Sequence, residues 1–510
     1  MDRKIAILLL PLALFACASP GLEEESYILE DGDRYDALGE EANLNWDNPD
    51  YLPGVDRWAP QGHPVSIPLG TSNAYNVVDA TWKGEGDGDR LGIGVAAIGD
   101  VNGDGLEDMA MGSIYGSGTG SGDGAAYMNR ASFKDGNYRA DASKGRWYGV
   151  SGSRAGEQVA GGGDVDGDGQ DDFIMGARTW SNPTLTWQVN AGAAYLVFGY
   201  DRGNNTLPSG ALALTGTKAY EYAGAGVDIV GDLDGDGFAD LAVGATGADT
   251  NGSESGCVYI INGPITADVD LAVADAEIGG ETAGDAIGSR IVGLGDVDGD
   301  GVDDFAVGAR TEDTNGVDAG AVYVITSGTM PSTLADADII IRGNKDGSEG
   351  GSGVSEAGDL DGDGLNDYLV GSLGHNDLGN AYVLQGSVTS GKMGEVAYAR
   401  FVGQSNGDQF GSGVTSGDIS GDGTEDVIVA ANRQSSSDRG AVYVFYGPVT
   451  GTIASYDADS KLSGVGSNDR FGSWVDVAEN TTVDGKNTLM VGASSRGTGN
   501  KGAIYLFQSP

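Results

Sequence analysis

The sequence predicts an all-β chain: a seven-bladed β-propeller of four-stranded blades, with the ring closed by an N-terminal strand. Three observations support this. An acidic nine-residue turn recurs six times at near-constant spacing, beginning at Asp100, Asp164, Asp232, Asp296, Asp359 and Asp418. Each turn lies between short apolar runs, and a Tyr-bearing run follows. The 510 residues include 90 glycines and only 13 prolines, a composition suited to many tight turns between short strands.

The repeat is the primary signal. The turns read DVNGDGLED, DVDGDGQDD, DLDGDGFAD, DVDGDGVDD, DLDGDGLND and DISGDGTED. A Gly-rich approach precedes each, as in Leu91-Gly92 with Val95, Ile287-Gly288 with Ile291, and Phe410-Gly411 with Val414. A short apolar strand ending in a small pair follows: MAMGS, FIMGA, LAVGA, FAVGA, YLVGS, VIVAA. After a variable loop comes a strand around Tyr127, Tyr195, Tyr259, Tyr323, Tyr382, Tyr443 or, in a seventh copy, Tyr505. These tyrosines are expected to pack within blades. The seventh copy has ENTTVDGKN in place of the acidic turn, with Glu479 and Asn487 near its ends, and is predicted to bind no metal. An outer-type strand, Ala80 to Gly84, precedes the first unit, and none follows the last Tyr strand. It is expected to complete the last blade and remove an exposed edge.

The turns are predicted to bind calcium. Side chains at positions 1, 3, 5 and 9 converge on one point, and position 7 offers a backbone carbonyl. Flexible, oxygen-only coordination of this kind suits Ca²⁺ better than Mg²⁺. The predicted ligands are Asp100, Asn102, Asp104, Leu106 and Asp108; Asp164, Asp166, Asp168, Gln170 and Asp172; and Asp232, Asp234, Asp236, Phe238 and Asp240. They continue with Asp296, Asp298, Asp300, Val302 and Asp304; Asp359, Asp361, Asp363, Leu365 and Asp367; and Asp418, Ser420, Asp422, Thr424 and Asp426. Asn102 and Ser420 each replace a carboxylate, so the first and sixth sites are expected to be weaker. About six structural ions are predicted. EF-hand chemistry is similar, but it needs flanking helices, and these flanks are Val-, Ile-, Tyr- and Gly-rich strand runs.

These units resemble the FG-GAP repeats of integrin α-subunits and their bacterial relatives, over residues 80–510 in seven copies. The Phe-Gly half survives only as Phe410-Gly411 and Phe471-Gly472, and the GAP half is mostly Gly-Ala or Gly-Ser. By strand parity, the face opposite the acidic turns carries loops 178–191, 246–256, 310–319 and 432–439. In integrin α-subunits that face meets ligand and partner subunit, so the resemblance points to that face, and exposed aromatics there would suit a protein or glycan ligand. Trp180 and Trp187, in the longest such loop, are the candidate ligand contacts.

The N-terminal region reads as export machinery. Arg3 and Lys4 precede an apolar run, Ile5 to Phe15, that is too short to span a bilayer. Leu14-Phe15-Ala16-Cys17 resembles a bacterial lipobox, with Cys17 lipidated. The expected division is a lipoprotein signal peptide at 1–16, an acidic tether at 17–70 and the propeller at 71–510. The chain would be exported to the outer membrane or cell surface and would touch membrane only through its lipid. A formal charge of −48 argues against nucleic acid as a partner. Cys257 is expected to fill core space, and neither His63 nor His375 lies in a metal-ligand spacing or a triad. No acidic pair stands apart from the turns, so no enzyme activity is predicted. The predicted function is calcium-stabilised cell-surface binding or adhesion. The alternatives are a carbohydrate-binding propeller and, behind it, a polysaccharide-degrading enzyme.

Overall fold

The computed structural model describes residues 27–28, 34–35, 70–73 and 78–509, apart from short stretches at 117–121, 132–135, 186, 200–202, 327, 375–377 and 436. Cys17, His63 and His375 lie outside the described residues. The chain divides into two units, Met1–Pro49 and Asp50–Pro510. In the first, Tyr27–Ile28 pairs antiparallel with Arg34–Tyr35. Among the described residues no helix is long and apolar enough to cross a membrane.

The second unit is a seven-bladed β-propeller. Blade 1 runs outward through Leu91–Ala97, Met109–Ser113, Ala125–Asn129 and Gly145–Tyr148. Blades 2 to 6 repeat this order, with first strands Val159–Gly163, Ala223–Gly231, Arg290–Gly295, Gly350–Gly358 and Phe410–Gly417. Blade 7 takes Phe471–Ala478, Thr488–Ala493 and Ala503–Gln508 from the C-terminal end, and Ala80–Lys83 from the N-terminal side. The predicted closure is therefore present. Second and third strands are buried along their length except at Gln508, the end of the blade 7 third strand, because neighbouring blades cover both of their faces. The Tyr series is buried on the third strands. Cys257 is buried there as well, and burial pushes its thiol up to about 12.

At most blade boundaries a second-strand glycine meets the entry glycine of the next blade; between blades 6 and 7 Ala430 takes the first place, against Gly472. A Cβ on Gly112, Gly176 or Gly244 of a second strand would lie 2.0, 2.1 or 1.8 Å from the carbonyl oxygen of Gly156, Gly224 or Gly288 in the next blade. Those three partners have φ of 77°, 80° and 92°, where side chains are rarely tolerated. The glycine of the Phe-Gly pair is thus fixed by backbone contact. The Phe site is a buried core position, occupied elsewhere by Leu91, Ala155 and Ile287.

The sheets contain a strand that the repeat pattern did not reveal. The connection between third and fourth strands lays a short parallel strand on the outer edge of the preceding blade. Gly136–Arg139 covers blade 7, Gly203–Thr206 blade 1, Val269–Asp270 blade 2, Gly391–Lys392 blade 4 and Gly451–Ala454 blade 5. Gly70–Asn73 does the same for blade 6, so the ring closes through two N-terminal strands. On blade 3 this shrinks to one bridge, Gly279 to Thr333, preceded by Pro331. Proline has no N–H to give to a ladder.

Candidate metal centres and the comparison with known proteins

Each acidic turn links the first and second strands of a blade and is built largely by its own carboxylates. In blade 3, Asp232 Oδ1 accepts from the N–H groups of Gly235 (2.7 Å) and Asp236 (3.0 Å), and Oδ2 accepts from Gly237 (2.8 Å). Asp234 accepts from Asp236 N–H, and Asp236 accepts from Phe238 N–H. Blades 2 and 5 repeat the pattern through Asp164, Asp166 and Asp168 and through Asp359, Asp361 and Asp363. Each acid therefore organises the backbone that curls round it, as Asx turns do.

Position 9 anchors the site to the blade. Asp240 is fully buried. Its Oδ2 accepts from Leu233 N–H, and its Oδ1 from Gly263 N–H, just beyond the third strand. Asp172 does the same with Val165 and Gly199, and Asp367 with Leu360 and Gly386. Burial pushes these carboxyls up, Asp172 to about 7 and Asp240 and Asp367 to about 6, against the pull of their backbone donors.

Carboxylate oxygens that lie within 4.8 Å of one another are brought together by Asp164, Asp166 and Asp172; Asp232, Asp234 and Asp240; Asp296, Asp298 and Asp300; and Asp359, Asp361 and Asp367. Each group can hold a metal ion. An all-oxygen donor set with three convergent carboxylates suits a hard divalent cation. The set in blade 4 uses position 5 rather than position 9, with Asp304 still anchored to Val297 N–H. Position-7 residues Leu106, Gln170, Phe238, Val302, Leu365 and Thr424 are half-buried beside the acids.

The first and sixth turns differ as their substitutions suggest. Asn102 Nδ2 donates to Asp108 Oδ2 at 2.5 Å, while Asp100 and Asp104 hold the turn. Ser420 donates its N–H to Asp426 and its hydroxyl to Asp418, and Asp422 caps Thr424. In blade 7, Thr488 pairs with Ala478 where the other blades place the position-9 Asp. The turn is one residue longer, so Asn487 is not the equivalent residue. Thr488 shares a 2.7 Å hydrogen bond with Thr481, whose hydroxyl and N–H also lie against Lys486 O.

Sequence reasoning missed two groups of residues. In blades 1, 2 and 4, position 8 staples the turn to that of the preceding blade: Asp171 accepts from Asp100 N–H (2.7 Å), Asp303 from Asp232 N–H (2.9 Å) and Glu107 from Glu479 N–H. Acids or an amide recur at this position, but their targets lie in another repeat. Asn262 and Gln385, just past the third strands, donate to Asp234 and Asp361. On the opposite face, Trp180 packs against the core shared by blades 1 and 2, whereas Trp187 is 60% exposed beside Leu185, Val189 and Tyr220.

The family model of the FG-GAP repeat matches residues 155–197, 223–261, 289–325 and 410–445. These fall in blades 2, 3, 4 and 6. Among curated proteins, integrin alpha-PS2 of Drosophila melanogaster is 37% identical over 107 residues, 19% of this chain and 8% of that protein. Integrin alpha-PS5 of the same species is 32% identical over 175 residues, 33% of this chain and 16% of that protein. The chain thus matches less than a fifth of the length of these relatives. Among solved structures, "Crystal structure of BBS1N in complex with ARL6DN, soaked with mercury" aligns over 84% of this chain and 97% of the other, at 13% identity and a TM-score of 0.40. With four repeats matched by the family model and the same strand order in all seven blades, this chain is an FG-GAP-repeat β-propeller, similar in its repeats to integrin α-subunits.

Proposed function

We propose that this chain is an exported, calcium-stabilised binding propeller. It would display a protein-binding surface on the face opposite its acidic turns. The observation that carries the reading is the division of labour between faces. One face concentrates convergent carboxylates in four blades. The other exposes Trp187 and Tyr220, beside Leu185 and Val189, on two adjoining connections joined by the Tyr220 N–H to Val189 O hydrogen bond. Exposed aromatics of this kind are frequent anchors in binding sites. The resemblance to integrin α-subunits points to adhesion-type binding. The exposed indole also suits stacking on a sugar ring, which favours carbohydrate binding as the second reading.

Calcium would be held by Asp164, Asp166 and Asp172 and their counterparts in blades 3, 4 and 5, more weakly in blades 1 and 6, and would supply charge neutralisation at the end of each blade. Cys17 would carry the lipid that fixes the chain to the cell surface.

The test has two parts. Calcium bound to the metal-stripped chain is counted directly, with four to six ions expected; none bound sinks the calcium reading. Intact cells displaying the chain and the Trp187→Ala variant are then compared for adhesion to immobilised protein and glycan panels. Equal adhesion by both would remove this face from the function.

A further inference from the structure

The innermost strands of all seven blades line a central cavity of about 380 Å³, and one cation in its wall has no counter-charge. Two residues past each strand-entry glycine, four blades carry Gly and three carry a large side chain: Gln158, Arg290 and Trp474. Gln158 is fully engaged, donating to Ser289 O and accepting from Val227 N–H. Arg290 of blade 4 stacks on Trp474 of blade 7, with its guanidinium 4.1 Å from the ring centroid, so the pair spans the channel. Its Nε donates to Ser352 O at 3.0 Å. Its two terminal amino groups meet no acceptor among the described residues. Burial lowers its pKa to about 10, and the like charge of Arg310 adds to the effect.

The nearest acids along the channel do not answer this charge. Asp228 and Asp476 lie two residues further down their strands, roughly 7 Å away along the strand at the usual rise. Asp228 accepts from Gly293 and Ile229 N–H, and Asp476 from Ala97 and Val477 N–H. A chain with 76 acidic residues therefore keeps one guanidinium fork unpaired, facing a cavity, on an aromatic floor. A guanidinium edge with free N–H groups fits a carboxylate, sulfate or phosphate bidentately. The cavity is of small-molecule size.

We propose that the Arg290 end of the central channel is a binding site for a small oxyanion, seated on the guanidinium fork with Trp474 beneath. The acids further down the channel confine the anion to this end. Carboxylates and inorganic oxyanions share this chemistry, and the titrants distinguish them.

The test uses the full chain in calcium. Acetate, malonate and sulfate are titrated against chloride at fixed ionic strength, following heat and tryptophan fluorescence. A saturable response to at least one oxyanion is expected, at least tenfold weaker in Arg290→Gln. A response to acetate and malonate alone assigns a carboxylate site, and a response to sulfate as well assigns a general oxyanion site. The proposal is overturned if no oxyanion gives a saturable response beyond chloride, or if a folded Arg290→Gln chain binds equally well. Trp474→Phe keeps a ring under the guanidinium and covers the case in which Arg290→Gln does not fold. It should retain the heat and lose the fluorescence change; a persisting fluorescence change places the anion elsewhere and overturns the proposal.

Discussion

Blades 3 and 7 solve the same problem by different chemistry. Both must hold a tight turn between first and second strands at the same end of the ring. Blade 3 gathers Asp232, Asp234 and Asp240 into a group that can hold a cation. Blade 7 places Thr488 where Asp240 would be and closes its turn with neutral hydrogen bonds through Thr481 and Lys486 O. Without a cation, three convergent carboxylates repel one another, and burying one of them adds a desolvation cost. The blade 7 turn carries neither burden. The same fold position is thus built within one ring either from convergent carboxylates that can hold a cation or from neutral hydrogen bonds.

The largest expected effect comes from stripping metal. Calcium at about 100 times its Kd adds about 2.7 kcal/mol per site if the unfolded chain does not bind it. EDTA should therefore lower the melting temperature strongly. Hydrogen exchange should show the turns of blades 2 to 5 losing protection while residues 479–488 change little. Equal loss in blade 7 would abolish the contrast.

Next come single anchors. Asp240→Ala leaves the N–H groups of Leu233 and Gly263 without their acceptor, and should cost about 3 kcal/mol even without metal. Thr488→Val removes one neutral hydrogen bond and should cost about 1 kcal/mol. Denaturant melts of both variants in EDTA would test the ranking, and an inverted order would mean that the neutral turn is the stiffer one.

Ser420→Asp should move blade 6 toward blade 3 by restoring the third carboxylate. We expect tighter calcium binding at one site, with a gain on the order of 1 kcal/mol at saturating calcium and a loss of similar size in EDTA. No difference between the two conditions would separate position 3 from metal binding.

The smallest effect concerns pH. Asp228 of blade 3 and Asp476 of blade 7 occupy the same level of the first strand, and burial raises them to about 7 and about 6. Unfolded, both ionise near 4. Between about pH 4 and 7 the unfolded chain therefore releases protons that the folded chain retains, and stability falls as pH rises through that window. Asp228→Asn should flatten the slope of melting temperature against pH, measured in saturating calcium. An unchanged slope would place the titration elsewhere.

Much of this was legible in the sequence because each repeat states its own pattern. Six D-x-D-like turns, seven Tyr strands and the unpaired strand at Ala80 were enough for blade number and closure. What escaped has its partner in another repeat. The extra edge strands, such as GNYR and GNNT, are short and polar and bury no residue fully. The position-8 staples are visible as residues, but Asp171 acts on a turn one blade away. Arg290 and Trp474 look like departures from glycine until the ring sets them face to face. The one-residue insertion in the blade 7 turn shows only when the turn is counted back from its strand, because Thr488 rather than Asn487 directly precedes LMVGA.

The double closure has a mechanical consequence. Tension entering from the N-terminal side reaches Gly70–Asn73, clasped to blade 6, before it reaches Ala80–Lys83, clasped to blade 7. The two clasps stand in series, the outer one a four-residue parallel pairing. Under load the outer clasp would shear first and leave the ring intact, acting as a fuse ahead of the seam that holds the circle shut.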